Sequence, residues 1–233
     1  MKGKLGKALV TIVTILISSN AARAAITQVG SSAALGANDS IVWSGLGGDL
    51  TPLSSSTALT TTGGMSATLL GSSAFTLFAG STYNADFLPG DIVVSAFDSN
   101  TFTALNTGIQ INFASAVFGI GAQIQDDAFG PFMGTLEAFN ASNTSLGSVS
   151  VNGNILGNGD GSAPFLGLTS TVGISEIIFT TSQPGVAIND LDILTTTSTV
   201  PEPSSFALLL PVLLTMFVWR RRSLAMKITP HRA

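Results

Sequence analysis

From about residue 40 to residue 194 the chain sets short apolar runs between clusters of Gly, Ser, Thr and Asn. The clusters recur about every eight to twelve residues, and the runs are rich in Val, Ile, Phe and Thr, which is the pattern of a β-sandwich. Helical three-four spacing of good helix formers is absent. The predicted strands are Ser40–Trp43, Met65–Leu70, Phe75–Phe78, Asp91–Phe97, Ile109–Phe113, Val117–Gln125, Thr135–Phe139, Gly147–Val151, Phe165–Thr169, Ile174–Thr180 and Val186–Leu194. Within Val117–Gln125, Phe118, Ile120, Ala122 and Ile124 share one face, and Gly119, Gly121, Gln123 and Gln125 share the other. In Ile174–Thr180, Ile177 and Phe179 oppose Glu176. In the last strand Ile188, Asp190 and Asp192 share a side opposite Ala187, Asn189, Leu191 and Ile193. Two acids on one strand face need solvent or a cation, because unpaired burial of charge is very costly. Asn152-Gly153 and Asn158-Gly159 read as turns that accept positive φ, and Ala141–Ser145 as a tight connection. Ser54–Gly64 reads as a surface loop and Thr195–Thr199 as a polar linker.

The hydropathy of the two ends differs from that of the body. Lys2, Lys4 and Lys7 precede the apolar run Ala8–Ile17, and Ala22-Arg23-Ala24 follows. These are the parts of a secretory signal peptide spanning residues 1–24, cut between Ala24 and Ala25 by signal peptidase after passage through the Sec translocon. At the other end, Pro201-Glu202-Pro203 leads into an apolar run from Phe206 to Trp219, and Arg220, Arg221 and Arg222 follow at once. That run would be roughly 21 Å long as a helix at about 1.5 Å per residue. A bilayer core is about 30 Å thick, so the run is short for a permanent span, and Pro211 interrupts it. The three arginines act as a membrane stop and fix the orientation, since basic residues stay on the cytoplasmic side. A short interrupted helix with a strong stop suits transient residence in the inner membrane.

Pro201-Glu202-Pro203, Phe206–Trp219 and Arg220–Arg222, in that order, resemble the PEP-CTERM sorting signal of Gram-negative bacteria. The resemblance implies that residues 200–222 are a substrate for an exosortase, with delivery to the cell surface or to an exopolysaccharide matrix. Ser223 to Ala233 extend past the arginines as a cytoplasmic overhang, a departure from the usual ending soon after them. The body resembles a β-sandwich cargo domain found in front of such tails. The stretches that carry this are Asn38–Trp43, Gly119–Gln125, Thr135–Phe139, Asn158–Gly161, Phe165–Leu168 and Ala187–Ile193. It implies an all-β fold: a single jelly-roll-like β-sandwich over residues 25–194, similar to carbohydrate-binding modules. It carries no catalytic residues.

Charge narrows the chemistry further. All nine Lys and Arg and the single His231 lie outside residues 25–199, and the chain has no cysteine. The body holds twelve of the thirteen acids, the thirteenth being Glu202, so its side chains carry 12 negative charges against none positive. Nucleic-acid binding, which needs Lys or Arg on the phosphates, is excluded. So are Ser-His-Asp and Cys-His relays, zinc sites of Cys and His, Schiff-base lysines and P-loops. Carboxylate chemistry, hydroxyl and amide hydrogen bonding and hard cations remain.

Ca²⁺ takes oxygen ligands, and the candidates are Asp39, Asp126, Asp127, Asp160, Asp190 and Asp192. Asn158-Gly159-Asp160-Gly161 looks like part of a calcium loop, but an EF-hand register would put Leu156 at position 1 and Gly167 at position 12, which fails. In similar sandwich modules an acid of the last strand helps hold calcium, which points to Asp190. A sugar platform wants exposed aromatics. Trp43 and Tyr83 are the body's only Trp and Tyr and read as core. Phe129 and Phe132, flanking Gly130-Pro131 beside Asp126-Asp127, read as a loop surface. The expectation is an exported, non-enzymatic protein of the surface or matrix. The alternatives are a calcium- or glycan-binding module and, further off, a glycosidase using Glu137 and Glu176, the only glutamates of the body.

Overall fold

The computed structural model describes residues 26–196, apart from 72–73, 79–81, 84 and 99–100. The signal peptide, its cleavage point, the sorting motif, the apolar run and the arginine stop lie outside the described residues. The described residues form one compact unit.

The described residues form an all-β, antiparallel β-sandwich. The strands are β1 (Ile26–Val29), β2 (Asp39–Ile41), β3 (Thr51–Leu53), β4 (Ser56–Thr60), β5 (Ser66–Leu70), β6 (Ala74–Phe78), β7 (Ile92–Ser95), β8 (Ile109–Gln125), β9 (Gly130–Phe139), β10 (Ser145–Ile155), β11 (Phe165–Thr181), β12 (Ala187–Ile188) and β13 (Leu191–Leu194). A single helical turn, α1 (Ser32–Leu35), follows β1. The strand order is β10-β9-β11-β8-β12-β7-β6-β3, with β1 on β11, β5 and β13 also on β8, β2 on β13 and β4 on β5.

β8 and β11 organise the rest. They pair with each other from Phe165↔Gln123 to Phe179↔Ile109, with register shifts between Thr169 and Ile174 and between Ile174 and Glu176. Sequence reading divides each of them into two strands. The division falls at Ala114–Ala116 and Ser170–Gly173, where small and polar residues interrupt the apolar alternation. Each strand runs on through its gap, while the pairing of the two lapses there and resumes in a shifted register, an irregularity of the bulge kind, and bulges bend strands. The core is continuous across the bend, from Ile109, Ile111 and Phe179 to Ile120, Ile124 and Leu168. A smaller cluster around Tyr83, Phe87, Val93 and Ala187 lies beside it.

Four other sequence expectations are corrected. Asn152-Gly153 is not a turn but lies inside β10. Gly153 is required there because the Phe132 ring occupies its side-chain position: an added Cβ would lie 2.2 Å from Phe132 Cε1. Ser54–Gly64 is not all loop, since Ser56–Thr60 pairs with β5 in register Ser56↔Leu70 to Thr60↔Ser66. Trp43 leaves its strand and opens a 3₁₀ turn, Trp43–Leu46. Val186–Leu194 is split into β12 and β13, for a reason that defines the site described next. By contrast, Asn143 at φ 55 and Gly159 at φ 61 supply the positive-φ positions expected of the connections around them.

Candidate functional site

A groove of about 390 Å³ lies over the face of the sheet where β11, β8 and β13 run side by side. Phe165 lines it, and beneath that ring the sheet carries glycines. Gly121 of β8 pairs with Gly167 of β11 on one side and with Asp192 of β13 on the other. Paired residues project to the same face, so Phe165, two residues before Gly167, projects there too. An added Cβ on Gly121 would lie 2.5 Å from Phe165 Cζ, and one on Gly167 would lie 2.7 Å from Phe165 Cε1. The glycines therefore make the space into which the half-buried phenyl ring settles. Further along, Leu35 of α1 takes the space over Gly119, where an added Cβ would come within 2.9 Å of it. The Gly119–Gly121–Gln123 face, expected to be simply polar, is thus a platform covered in part by Leu35 and Phe165.

The other wall follows from the break between β12 and β13. Ala187 pairs with Gln125 and Ile188 with Ile124. Asp192 pairs with Gly121. Five steps on this segment therefore match four on β8, and the extra residue is accommodated at Asn189–Asp190. Asn189 fills the gap with its side chain. Its Oδ1 accepts from Gln123 N at 2.9 Å, and its Nδ2 donates to Gln123 Oε1 at 2.7 Å. Gln123 Nε2 donates in turn to Gly161 O and Ala163 O, both at 2.9 Å, anchoring the loop before β11. Displaced outward, Asp190 accepts from Trp43 N at 3.0 Å through Oδ1. Burial raises the Asp190 carboxyl above the usual range; the Trp43 N–H opposes this, and the charges of Asp91 and Asp192 add to it. Ser31 and Ser32 close the near side. Ser31 caps α1 by accepting from Ala34 N at 3.1 Å, and Gly36 ends the turn in the left-handed region at φ 65. A second, open groove of about 580 Å³ continues past Asp192 between α1 and the β2 start.

The six candidate cation ligands are distributed over the molecule. Asp190 and Asp192 meet at the groove just described. Asp39 is consumed by the β4–β5 turn. Its Oδ1 accepts from Ser40 N at 2.8 Å, Thr62 Oγ1 at 2.8 Å and Gly63 N at 2.6 Å, and its Oδ2 from Thr61 Oγ1 at 2.5 Å. Burial pushes its carboxyl up, but these donors together hold it below the usual carboxylate value. Asp160 caps its own turn, accepting from Ser162 N at 3.0 Å, and that local bonding lowers it as well. Asp126 is fully buried, and among the described residues its Oδ2 has no hydrogen-bond partner. Its Oδ1 accepts from Ala128 N at 3.0 Å. Burial raises the Asp126 carboxyl, as it raises Asp127. Among the described residues no three acidic or imidazole side chains come together as a cation site.

Of the expected aromatics, Trp43 and Tyr83 are buried, Tyr83 donating its hydroxyl to Asp126 O at 2.8 Å. Phe129 is exposed, but Phe132 is core, a correction that follows from Gly153 opening space beneath its ring. Glu137 and Glu176 are diagonal neighbours on one face of β9 and β11, Glu137 opposite Ile178 and Glu176 opposite Phe139. Glu137 accepts from Ser145 Oγ at 2.7 Å. Both described grooves lie elsewhere. Sequence reading did not reach Phe165, Gln123 or Asn189 as site residues. The Gly-x-Gly spacing at Gly119–Gly121, with the Phe-x-Gly of Phe165–Gly167 in the partner strand, is the available signal.

No protein-family model matches the chain. No curated protein matches it either. Among solved structures it is similar to a DUF4465 family protein from Bacteroides caccae, at 8% identity and TM-score 0.36, over 72% of this chain and 99% of that one. It is also similar to a family 6 carbohydrate-binding module, at 9% identity and TM-score 0.28, over 53% of this chain and 82% of that one. A third is a module from Clostridium stercorarium described in complex with cellobiose, at 12% identity and TM-score 0.22, over 73% of this chain and 94% of that one. All three are similarities of general architecture.

Proposed function

We propose that this chain is an exported, non-catalytic carbohydrate-binding β-sandwich of the cell surface or exopolysaccharide matrix, delivered there by exosortase processing of its C-terminal signal. The observation that carries the binding part is the Phe165 ring seated on the Gly121–Gly167 floor, with Asp190, Asp192, Ser31 and Ser32 around it. An apolar ring edged by a few fixed polar groups suits a sugar, which offers C–H faces to the ring and hydroxyls to carboxylates and serines. The ligand is a neutral polysaccharide, because a body with twelve acids and no base repels an anionic one. The absence of imidazole, thiol and amine from the body favours binding over turnover.

Retention on a panel of immobilised neutral and acidic polysaccharides tests this. Wild type is expected to be retained by a neutral polymer, and Phe165→Ala to pass through while still unfolding in one cooperative transition at a somewhat lower temperature. Equal retention of the two proteins would remove the groove from the binding site. The delivery part is tested separately by intact mass. A species running from Ala25 to near Pro201–Ser204 supports processing, whereas one that keeps Phe206–Ala233 in the inner membrane opposes it.

A further inference from the structure

We infer that β10 is a strand-pairing edge, and that its partner is β10 of a second copy of this chain, joined antiparallel about a two-fold axis. At one end of the main strand order stands β3, three residues long and carrying Pro52, which cannot donate to a further strand. At the other end stands β10, eleven residues from Ser145 to Ile155, with β9 as its one strand partner among the described residues. Proteins guard long edges with charge, proline or short length. β10 carries no charged residue and no proline, and its register shift is confined to the Ser145–Gly147 end. Among the described residues one side chain hydrogen-bonds its backbone from outside the β9 pairing, Gln28 Nε2 donating to Ser150 O at 2.8 Å, and Ile26 of β1 lies against Gly147 at the Ser145 end.

The strand's chemistry selects a copy of itself. Ser148, Ser150, Asn152 and Asn154 alternate with Val149, Val151 and Gly153 and are exposed. Hydroxyls and amides both donate and accept, so Ser and Asn set against Ser and Asn in a two-fold pair are complementary. The body has no Lys or Arg, so no charge attraction can bring two copies together. Two bodies carrying twelve acids each repel least along an uncharged strand, and β10 is the longest edge of that kind. Pairing of a single strand edge buries less than the roughly 1,000 Å² of a lasting interface. The contact is therefore weak, dependent on protein concentration, and strengthened by salt that screens the acids.

The chain contains no cysteine, so one introduced cysteine reports on one position. Ser148→Cys, Ser150→Cys, Asn152→Cys and, as a control in the exposed turn before β10, Ala141→Cys would each be made in the full chain. The variants would be held in detergent micelles and oxidised at about 0.15 M and about 1 M salt. The three β10 variants are expected to give several-fold more disulfide dimer than Ala141→Cys. The yield should peak at the position nearest the two-fold axis and rise with salt. Association through the apolar tail would raise all four equally, and that result, like no cross-linking above the control at either salt, overturns the inference. Slowed amide exchange confined to β10 as concentration rises would support it.

Discussion

Asn189 and Gln123 bond to each other three times: Gln123 N donates to Asn189 Oδ1 at 2.9 Å, Asn189 Nδ2 to Gln123 Oε1 at 2.7 Å, and Asn189 N to Gln123 O at 3.3 Å. One amide side chain thereby adds two bonds to the single, long backbone bond at the point where β12 gives way to β13. The pair bridges that break and Asp190 follows directly after it, so the outer wall of the groove depends on side-chain hydrogen bonds as well as on the backbone.

Asn189→Ala is expected to lower stability by about 1–3 kcal/mol, because the Gln123 N–H and Oε1 lose their partners in a half-buried place. For a domain of this size that is a fall in melting temperature of about 2–4 °C per kcal/mol. Asn189→Asp should recover part of the loss, since a carboxylate still accepts from Gln123 N. Thermal melts of the three proteins decide this; equal melts would show that the strand break closes without Asn189.

Gly121→Ala places a methyl 2.5 Å from Phe165 Cζ and 2.9 Å from Gly167 Cα. The ring must leave its seat, and the close backbone adds strain, so a cost of about 1–3 kcal/mol is expected. Sugar retention should fall together with stability. The double variant Gly121→Ala with Phe165→Ala should melt higher than Gly121→Ala alone, because the nearer clash is gone. Failure of that recovery would show that the floor does not seat the ring.

Asp39 titrates below its unfolded value of 3.8. A depressed carboxyl contributes stability that is fully present above that value and is lost as pH falls through the lower folded value. Asp39→Asn is therefore expected to melt lower than wild type near neutral pH, with the gap closing below about pH 3.8. A gap that persists unchanged into strong acid would place the effect in turn geometry and not in charge.

Asp126 has the opposite sign. Its folded value is raised above 3.8, first by burial, with Ala128 N opposing and Asp127 adding. Folding then favours the protonated form. Stability is greatest below 3.8 and falls as pH climbs through that value to the higher folded one. Asp126→Asn keeps the bond from Ala128 N and removes the buried charge, so it should melt higher than wild type near neutral pH and no higher in strong acid. A lower melt near neutral pH would mean that the charge is compensated in the folded protein.

The strand inventory was largely legible in the chain because the alternation of apolar and polar positions is a local signal. Ile109–Phe113, Thr135–Phe139 and Phe165–Thr169 each fall within an observed strand. β1 and α1 were not read. A four-residue strand and a single helical turn give too few positions for periodicity, although Ser31 and Gly36 are ordinary cap residues. Asn152-Gly153 was misread because a turn dipeptide and a packing glycine look alike until Phe132 is placed over it. Asp190 and Asp192 were marked for their charge, whereas Phe165, Gln123 and Asn189 were not marked at all. A phenylalanine on a strand reads as core, and only the glycines of the neighbouring strand show that its ring lies at a surface groove.

The sequence by itself determined the class of fold, through period-two alternation with frequent turns. It also determined the range of chemistry open to the body, through the absence of Lys, Arg, His and Cys from residues 25–199. Composition and short-range pattern suffice for both. The tertiary structure alone decided which acids meet. Asp39 and Asp160 are bound into turns, Asp126 is enclosed, and Asp190 and Asp192 are brought to one groove by a strand break bridged from β8. Those outcomes depend on residues tens of positions apart becoming neighbours. Strand register fixes that, and no local pattern in the chain encodes it.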